Sequence, residues 1–358
     1  MFQSITVRNF RCFRNLAIDR VAKVNLIVGK NNVGKTALLE ALFLLLGPDN
    51  PDLPMRLNVL RGLQWFEAIP EEAWGWLFLN KHTEDAIELS SCLDGNKRHL
   101  RISLSEPLAA PLPNVANGKS SRAFGSATTA IGARELVLEY AETGREPVVS
   151  RASFVAEGEG LRVKLSRPSV SGLPLGIFLT SAFHFAQENA ERFSKLQEIN
   201  REQEVLERLQ VLEPRLRRLV VSAPGPGVSV MQGDLGIGRM VPLPLMGDGI
   251  GRLLSYLLAM ASARKGTVLI DEIENGLHYS VHRKTWKAIA DFADRFDAQV
   301  FATTHCDECL QAAREAFAGK GPEAFLVHRL DRVGADIEAV TLTQDMLATA
   351  QDTGLEIR

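Results

Sequence analysis

The feature that most restricts the fold of this chain is the glycine-rich segment Gly29 to Thr36, which reads Gly-Lys-Asn-Asn-Val-Gly-Lys-Thr. An apolar run from Val24 to Val28, which predicts a strand, precedes it, and a run of helix formers from Lys35 to Leu46 follows, ending before Gly47-Pro48. The spacing G-x-x-x-x-G-K-[ST] between a strand and a helix is typical of a loop that wraps phosphates, because its backbone N–H groups face the anion at the positive end of the helix. The sequence therefore predicts a phosphate-binding strand, loop and helix.

Two side chains of this loop carry chemistry that a plain glycine turn does not need. The Lys35 ammonium suits the β- and γ-oxygens of a triphosphate, and the Thr36 hydroxyl suits Mg²⁺. The sequence therefore predicts a nucleoside triphosphate bound with Mg²⁺. The residues expected to contact it are Gly29, Lys30, Asn31, Asn32, Val33, Gly34, Lys35 and Thr36.

A second acidic site lies far downstream, where the apolar run Thr267 to Ile270 ends in Asp271 and Glu272. A carboxylate at the end of a buried strand can complete a Mg²⁺ shell, and its neighbour can orient and deprotonate water. We therefore expect Asp271 to bind the metal together with Thr36, and Glu272 to be the catalytic base beside Lys35. In the alternative interpretation the two carboxylates only cap the next helix, which the phosphate loop disfavours.

Two further segments bear on the nucleotide and on a third catalytic group. Asn96-Lys97-Arg98-His99 is not the N-K-x-D pattern that reads guanine, so ATP is favoured. Gln299 to Thr303 predicts another strand, and His305 follows its end. Because neighbouring parallel strands end at the same edge of a sheet, we expect His305 to reach the γ-phosphate, the alternative being a histidine that satisfies a local hydrogen bond.

The remaining segments predict a mixed architecture. Alternating apolar residues between Ala86 and Leu165 favour a mainly antiparallel sheet, with a surface loop from Glu106 to Ala127. Gln187 to Leu219 predicts one or two amphipathic helices packed on the body, with a partner or nucleic-acid surface as the less favoured alternative. From Gly251 onwards helix and strand patterns alternate, which predicts a parallel sheet.

The composition of the chain bears on its compartment and on its partners. Its 358 residues are 46% hydrophobic, and 41 Lys plus Arg stand against 43 Asp plus Glu, so no global charge attracts nucleic acid or an anionic membrane. No apolar run approaches the roughly 20 residues of a membrane-spanning helix, and the first residues lack the pattern of a signal peptide. With only 4 cysteines in addition, we expect a cytoplasmic protein that has no disulfide framework and no membrane partner.

Taken together, these residues resemble the ABC-type ATPases of the RecF, SMC and OLD group in a compact bacterial form. Val7 to Phe13 looks like that group's first strand and nucleotide-contacting turn, which makes Arg11 an expected nucleotide contact. Asp271 to His278 looks like its Walker B motif and D-loop, and Thr303-Thr304-His305 looks like its switch histidine. The resemblance implies an α/β ABC-ATPase head, a P-loop NTPase with a mainly parallel sheet, an antiparallel β subdomain and a helical lobe, in which ATP is sandwiched between two heads.

The signature motif departs from the family pattern L-S-G-G-Q. The corresponding segment is Leu245-Met246-Gly247-Asp248-Gly249, so Gly247 and Gly249 are expected to contact nucleotide, whereas Met246 supplies no hydroxyl and Asp248 adds negative charge. Backbone N–H groups at the start of the following helix remain available to the phosphate. Gln64 and Gln187 are both candidates for the family's Q-loop glutamine.

Cys306 and Cys309 follow His305 in a C-x-x-C spacing that invites a zinc or redox interpretation. A structural zinc needs four ligands, and the other two cysteines are isolated in the sequence, so we favour Cys306 as the N-cap of a helix. His278 and His282, four residues apart, lack the glutamate of H-E-x-x-H and are expected to belong to the D-loop and its helix.

The predicted function is an ATP-binding and ATP-hydrolysing head that dimerises around ATP and drives or gates a partner in bacterial antiphage defence or DNA repair. The expected partner is a separately encoded effector, the assembly a homodimer or larger, and DNA contact is left open. The alternative is an ATP-gated scaffold with negligible hydrolysis, which Met246 and Asp248 favour. A complete nuclease would need a toprim domain, an SMC-like tether a long coiled coil, and a transporter subunit an intact signature, none of which the sequence predicts.

The resemblance also predicts the organisation of the chain as one discontinuous ATPase domain. Residues 1–185 would form an N-terminal lobe with the phosphate loop and the antiparallel subdomain. Residues 186–250 would form the helical segment and signature region, and residues 251–358 a C-terminal lobe with the acidic pair and His305.

Overall fold

The computed structural model describes residues 1–63, 69–106, 134–157, 160–168, 170–181, 186–225 and 227–352. The strands are β1 (Phe2–Phe10), β2 (Phe13–Ile18), β3 (Val24–Val28), β4 (Ile87–Leu93), β5 (Asn96–Ser105), β6 (Glu135–Glu142), β7 (Val148–Glu157), β8 (Gly160–Ser166), β9 (Gly176–Leu179), β10 (Arg218–Gly225), β11 (Val228–Asp234), β12 (Met240–Pro242), β13 (Thr267–Ile270), β14 (Gln299–Thr303), β15 (Phe325–Val333) and β16 (Asp336–Leu342). The α-helices are α1 (Lys35–Leu46), α2 (Leu53–Leu60), α3 (Pro70–Trp74), α4 (Ala186–Glu198), α5 (Glu202–Leu209), α6 (Asp248–Ser262), α7 (Tyr279–Phe296), α8 (Asp307–Ala316) and α9 (Gln344–Asp352), with short 3₁₀ turns at Gly75–Leu77, Leu79–Lys81 and Leu243–Met246.

A six-stranded sheet in the order β16-β15-β3-β14-β13-β9 forms the centre of the nucleotide-binding part. Neighbouring strands from β15 to β9 run parallel, and β16 at the edge is antiparallel to β15. The carboxyl ends of β3, β13 and β14 therefore lie side by side at one edge of the sheet, which is where ligands bind in sheets of this kind.

A second sheet is antiparallel throughout, in the order β2-β1-β4-β5-β6-β7-β8. Its strands alternate buried apolar and more exposed residues, as the pattern Ile87 to Leu93 illustrates. This confirms the antiparallel subdomain that the alternation predicts. Nearly all of the predicted surface loop after Glu106 lies outside the described residues.

Helix α1 packs between the two sheets. Leu38, Leu39 and Leu42 are buried completely, and the helix contacts β1 and β4 of one sheet and β9, β13 and β14 of the other. Burying side chains of this size contributes about 1.5–3 kcal/mol each. This packing fixes the first turn of α1, and with it Lys35 and Thr36, relative to the strand ends of the central sheet.

The expectation for residues 187 to 219 is only partly right. Amphipathic helices α4 and α5 bury residues such as Phe193 and Leu206, but helix does not continue to Leu219. Pro214 follows α5 within a few residues, and a proline has no N–H for a continuing helix. The chain instead enters β10, which pairs with β11 and β12 in a three-stranded sheet that the sequence analysis did not predict.

The C-terminal part has the predicted alternation of helix and strand, with β13, α7, β14, α8 and β15 in that order. The sheet is mainly parallel, as predicted, and at one edge β15 turns back through Gly334 into the antiparallel β16. Helix α6 begins at Asp248, inside the signature segment. Among the described residues, no helix is long and apolar enough to cross a bilayer.

Candidate functional site

The loop between β3 and α1 depends on its two outer glycines. Gly29 has φ 143° and Gly34 has φ 91°, both in the region that favours glycine. A Cβ on Gly29 would lie 2.5 Å from the Leu330 carbonyl oxygen, and one on Gly34 would lie 2.6 Å from the Cys12 sulfur. The loop therefore has room for backbone only, and its N–H groups and the N-terminus of α1 face one cavity.

Lys35 is the first residue of α1 and turns back over the loop. Its ammonium donates to the carbonyl oxygens of Gly29 at 2.7 Å and Lys30 at 3.0 Å. Burial lowers the pKa of Lys35, and the carboxylates of Glu274, Asp271 and Glu272 oppose that shift in this order. The ammonium thus lies at the loop surface, where a phosphate can replace the two carbonyls.

Asp271 follows β13 and lies against Thr36 of the loop. The Thr36 hydroxyl donates to the Asp271 carboxylate, with both oxygens 3.0 Å away, and the Thr303 hydroxyl donates to Oδ1 at 2.7 Å. Desolvation raises the pKa of Asp271 despite these bonds. A buried carboxylate beside a hydroxyl, with a desolvation cost that a cation would remove, fits the oxygen donors that Mg²⁺ prefers.

Glu272 has an unusual backbone conformation for its residue type, with φ 51°. Its N–H donates to the Thr303 hydroxyl at 2.8 Å, and its side-chain Oε2 accepts from the Asn275 amide at 2.8 Å. The same Thr303 hydroxyl therefore holds both members of the acidic pair. These contacts direct the Glu272 carboxylate to the cavity above the loop.

One cavity of about 480 Å³, which we call the phosphate cavity after the loop that lines it, brings most of the predicted residues together. Gly29, Lys30 and the buried Val33 do not line it, and Arg11, Gly247 and Gly249 lie elsewhere. The lining also includes three residues that the sequence did not assign to the site, Ala37, Thr303 and Arg61. Of these, Arg61 follows α2 and belongs to no motif. The predicted residues that line this cavity are Asn31, Asn32, Gly34, Lys35, Thr36, Asp271, Glu272 and His305.

His305 reaches this cavity from the end of β14. Its ring Nδ1 is 3.0 Å from Glu274 Oε1, and its backbone N–H donates to the same oxygen at 2.9 Å. The side chain is 50% exposed, so the ring is accessible to a ligand. The structure thus places His305 at the phosphate cavity, and also gives it the local hydrogen bond of the alternative interpretation.

Arg11 lies on the other side of the loop and is held by protein groups. Its guanidinium donates to Glu40 at 3.0 Å, to the Trp76 carbonyl at 3.0 Å and to Asn58 at 3.3 Å. Burial lowers the pKa of Arg11, with the nearby Glu40 opposing the shift. Glu40 also accepts from Arg61, so one buried carboxylate on α1 fixes two arginines around the loop.

A second cavity of about 680 Å³ adjoins the phosphate cavity. The two share Asn32, Gly34, Ala37 and Arg61 in their linings. The second cavity also contains the indole of Trp76, which is 55% exposed and lies 4.7 Å beneath the Lys81 ammonium. Its other basic residues are Arg11, Arg14 and Arg332.

The signature segment is away from the phosphate loop of its own chain. Gly247 has φ 104°, and a Cβ on Gly249 would lie 3.1 Å from the Gly276 carbonyl, so the signature turn packs tightly on the D-loop. Gly247 and Asp248 line another cavity of about 360 Å³, which shares Asp271 with the phosphate cavity. Leu245 beside them is 76% exposed.

Other candidate groups do not assemble into a site. Cys306 is the N-cap of α8, as predicted, and its thiol donates to Glu308. Burial raises the pKa of the Cys309 thiol to about 12, and the described residues contain no group of three or more His, Cys, Asp and Glu side chains arranged to hold a metal. Gln187 contacts Glu191 and Ser229 and does not line the phosphate cavity, and Gln64 lies outside the described residues.

The motifs and geometry agree with the proteins that this chain resembles. A family model described as "AAA ATPase domain" matches residues 1–121, and one described as "AAA domain, putative AbiEii toxin, Type IV TA system" matches residues 164–308. A protein of Helicobacter pylori named ATP/GTP phosphatase is 25% identical over 329 residues, covering 87% of each chain. Structural maintenance of chromosomes protein 6 of Dictyostelium discoideum is 45% identical over 47 residues, 13% of this chain and 4% of that protein.

Among solved structures, an Smc head domain with an extended coiled coil, bound to the C-terminal domain of ScpA and derived from Pyrococcus furiosus, superposes with a TM-score of 0.50 at 10% identity over 98% of each chain. That likeness shows the fold alone, that of an Smc head domain. With the two family models, it supports an AAA/SMC-like ABC-type ATPase head, as the motifs predict.

Proposed function

We propose that the chain binds ATP with Mg²⁺ and hydrolyses it, and that two copies close around the nucleotide to drive or gate a partner. The observation that carries this proposal is the cavity in which Lys35, Thr36, Asp271, Glu272 and His305 meet. These residues follow three strands that are neighbours in the central sheet, so a phosphate loop, a metal-binding carboxylate and a base share one place. The family models of AAA type support the same reaction.

Each side chain has a part in this reaction. The loop N–H groups and the Lys35 ammonium bind the β- and γ-phosphates. Thr36 and Asp271 would hold Mg²⁺, which would supply positive charge to the phosphate oxygens. Glu272 orients a water molecule and accepts its proton as the water oxygen bonds to the γ-phosphorus. The bond from that phosphorus to the bridging oxygen breaks, which releases ADP and inorganic phosphate.

The second cavity is the proposed site of the nucleobase. It continues from the phosphate cavity past Asn32 and Gly34, and the exposed Trp76 indole offers a flat surface for stacking. Stacking is tolerant of base identity, since every base has a π-face. The H. pylori relative is named for both ATP and GTP. For this chain, ATP is the proposed preferred nucleotide.

The proposed dimer uses the signature and D-loop segments as its contact surface. Leu245 is 76% exposed and Tyr279 is 67% exposed, and the Tyr279 ring packs at a tilt against His278 with ring centres 4.3 Å apart. Large apolar side chains this exposed are candidates for an interface. Gly247 and Gly249, which do not reach the phosphate of their own chain, would then face the nucleotide of the partner copy.

The domain organisation that we propose is a single discontinuous unit with the parts 1–185, 186–250 and 251–358. Its support is the position of β3 in the central sheet, where it pairs with β14 on one side and β15 on the other. Beyond the enzyme itself, we propose a separately encoded effector in antiphage defence or DNA repair, which rests on the resemblance alone. The rival function is an ATP-gated scaffold, favoured by Met246 and Asp248 in the signature.

Nucleotide binding and light scattering test the proposal. Lys35→Ala should abolish binding of a fluorescent ATP analogue, because the cavity loses its central cation. Glu272→Gln should keep binding and accumulate a dimer with ATP and Mg²⁺, because the closed state is no longer resolved by hydrolysis. A Glu272→Gln protein that binds ATP but stays monomeric would count against the two-copy arrangement.

A further inference from the structure

Glu274 is a buried carboxylate beside the phosphate cavity, and the reaction proposed above gives it no part. Its side chain is 8% exposed and follows the acidic pair in the turn after β13. Its Oε1 accepts from the His305 backbone N–H at 2.9 Å and lies 3.0 Å from His305 Nδ1. Its Oε2 is buried and has no hydrogen-bond partner.

A carboxylate in this position needs a positive neighbour, because burying an unpaired charge is costly. Among the described residues, the partners that the structure gives to Glu274 are the backbone and ring of His305. Lys35 is close enough for Glu274 to be the first of the carboxylates that oppose the lowering of its pKa, but its ammonium is bonded to the loop carbonyls. These bonds of Lys35 leave His305 as the group to balance Glu274.

The contact with Glu274 also determines which ring nitrogen of His305 faces a ligand. A carboxylate beside Nδ1 favours a proton on that nitrogen. The hydrogen bond from the His305 backbone N–H to the same oxygen fixes the position of the residue relative to Glu274. Nε2 is then the nitrogen available to the cavity.

We propose that Glu274 is a positioning residue for His305: it keeps the proton on Nδ1 and holds the ring so that Nε2 faces the terminal phosphate of the bound nucleotide. No bond is made or broken by Glu274 itself. The inference rests on the proposed function for the role of the phosphate, but the state of the free ring does not depend on any turnover.

The kinetic test uses Glu274→Gln, whose carbonyl oxygen can still accept from the His305 backbone. We expect kcat for ATP hydrolysis to fall about 10- to 100-fold, with the dissociation constant of a fluorescent ATP analogue changed less than about twofold. Glu315→Gln is the matched control, because it makes the same change in α8 at a half-exposed ion pair with Arg283. That control should leave both quantities unchanged.

The double variant separates positioning from a general structural role. Glu274→Gln combined with His305→Gln should be no slower than His305→Gln alone, because Glu274 acts only through the ring. Effects that multiply in the double variant would overturn the proposal.

A spectroscopic test works even if the wild type does not hydrolyse ATP. In protein labelled with ¹⁵N-histidine, the His305 signals, assigned by their loss in His305→Gln, should show a protonated Nδ1 in the wild type. In Glu274→Ala the proton should move towards Nε2, the usual preference of a free imidazole. An unchanged ring state in Glu274→Ala would refute the inference, whereas a wild type with the expected ring but no turnover would refute only the proposed hydrolysis.

Discussion

The same change from threonine to valine can be made at two buried positions of this chain. We expect it to lower stability at Thr303 and not at Thr285. Thr303→Val removes the hydroxyl that donates to Asp271 at 2.7 Å and accepts from the Glu272 N–H at 2.8 Å. A hydrogen bond to a charged group contributes about 1.5–3 kcal/mol, and an unpaired N–H costs about 1–3 kcal/mol more where water cannot replace the lost partner. Because the Glu272 N–H is only partly buried, we expect a total loss of about 2 kcal/mol in the free energy of unfolding.

Thr285→Val in α7 is the control. Thr285 is 2% exposed, and its hydroxyl has no hydrogen-bond partner, so a methyl group in its place should leave stability unchanged or raise it slightly. For a chain of this length, about 2 kcal/mol corresponds to a fall in Tm of about 3 °C, measurable by calorimetry without nucleotide. Equal shifts for the two variants would refute the hydrogen-bond geometry described for the acidic pair. Thr303→Val should also raise the pKa of Asp271 further, since its hydroxyl is the first of the bonds that lower it.

Two more predictions concern other parts of the chain. Burial lowers the pKa of His328 from 6.5 to about 4. The free energy of unfolding is therefore highest above pH 6.5 and should fall by about 3 kcal/mol as the pH drops towards 4, because the unfolded chain binds the proton more tightly. Urea unfolding at several pH values can measure this fall, and His328→Gln should remove it. Trp76→Ala should weaken ATP binding about tenfold and leave binding of magnesium tripolyphosphate, which has no base, unchanged; Trp76→Phe should retain most of the affinity, and an equal loss for both ligands would argue against stacking.

The parts of the site that the sequence predicts are those that belong to a single strand end or loop. Lys35 and Thr36 are fixed by the local pattern of strand, glycines and helix, and Asp271 and His305 each end an apolar strand pattern. Parallel strands align their carboxyl ends, so these segments converge although they are far apart along the chain. Apolar strand patterns and the glycine spacing of one loop are enough for this level of detail.

The parts that the sequence does not predict depend on contacts between segments. Nothing in the sequence around Arg61 indicates that it lines the phosphate cavity, because its position comes from a bond to Glu40 on another helix. The same holds for Thr303, whose hydroxyl bridges Asp271 and Glu272 across neighbouring strand ends. Arg11, expected at the nucleotide from resemblance, is held by Glu40, a partner that only packing brings to it.

The small sheet of β10, β11 and β12 was missed for a different reason. Charged residues at helical spacing before Leu219 suggest a continuing helix, and the competing signal is the single Pro214. Pairing with β11 then decides the conformation, since Arg218 and Leu219 lie opposite Asp234 and Gly233. Tertiary pairing overrides local propensity in such segments.

The most direct test of the central claim is steady-state release of phosphate from ATP with Mg²⁺. It compares the wild type with Glu272→Gln, each with and without duplex DNA. We predict turnover in the wild type and a loss of about a hundredfold or more in Glu272→Gln, since the water loses its base. Glu315→Gln, an acid-to-amide change outside the cavity, should retain the wild-type rate. Tight ATP binding with no phosphate release by the wild type would contradict the account and make the chain a nucleotide-gated scaffold.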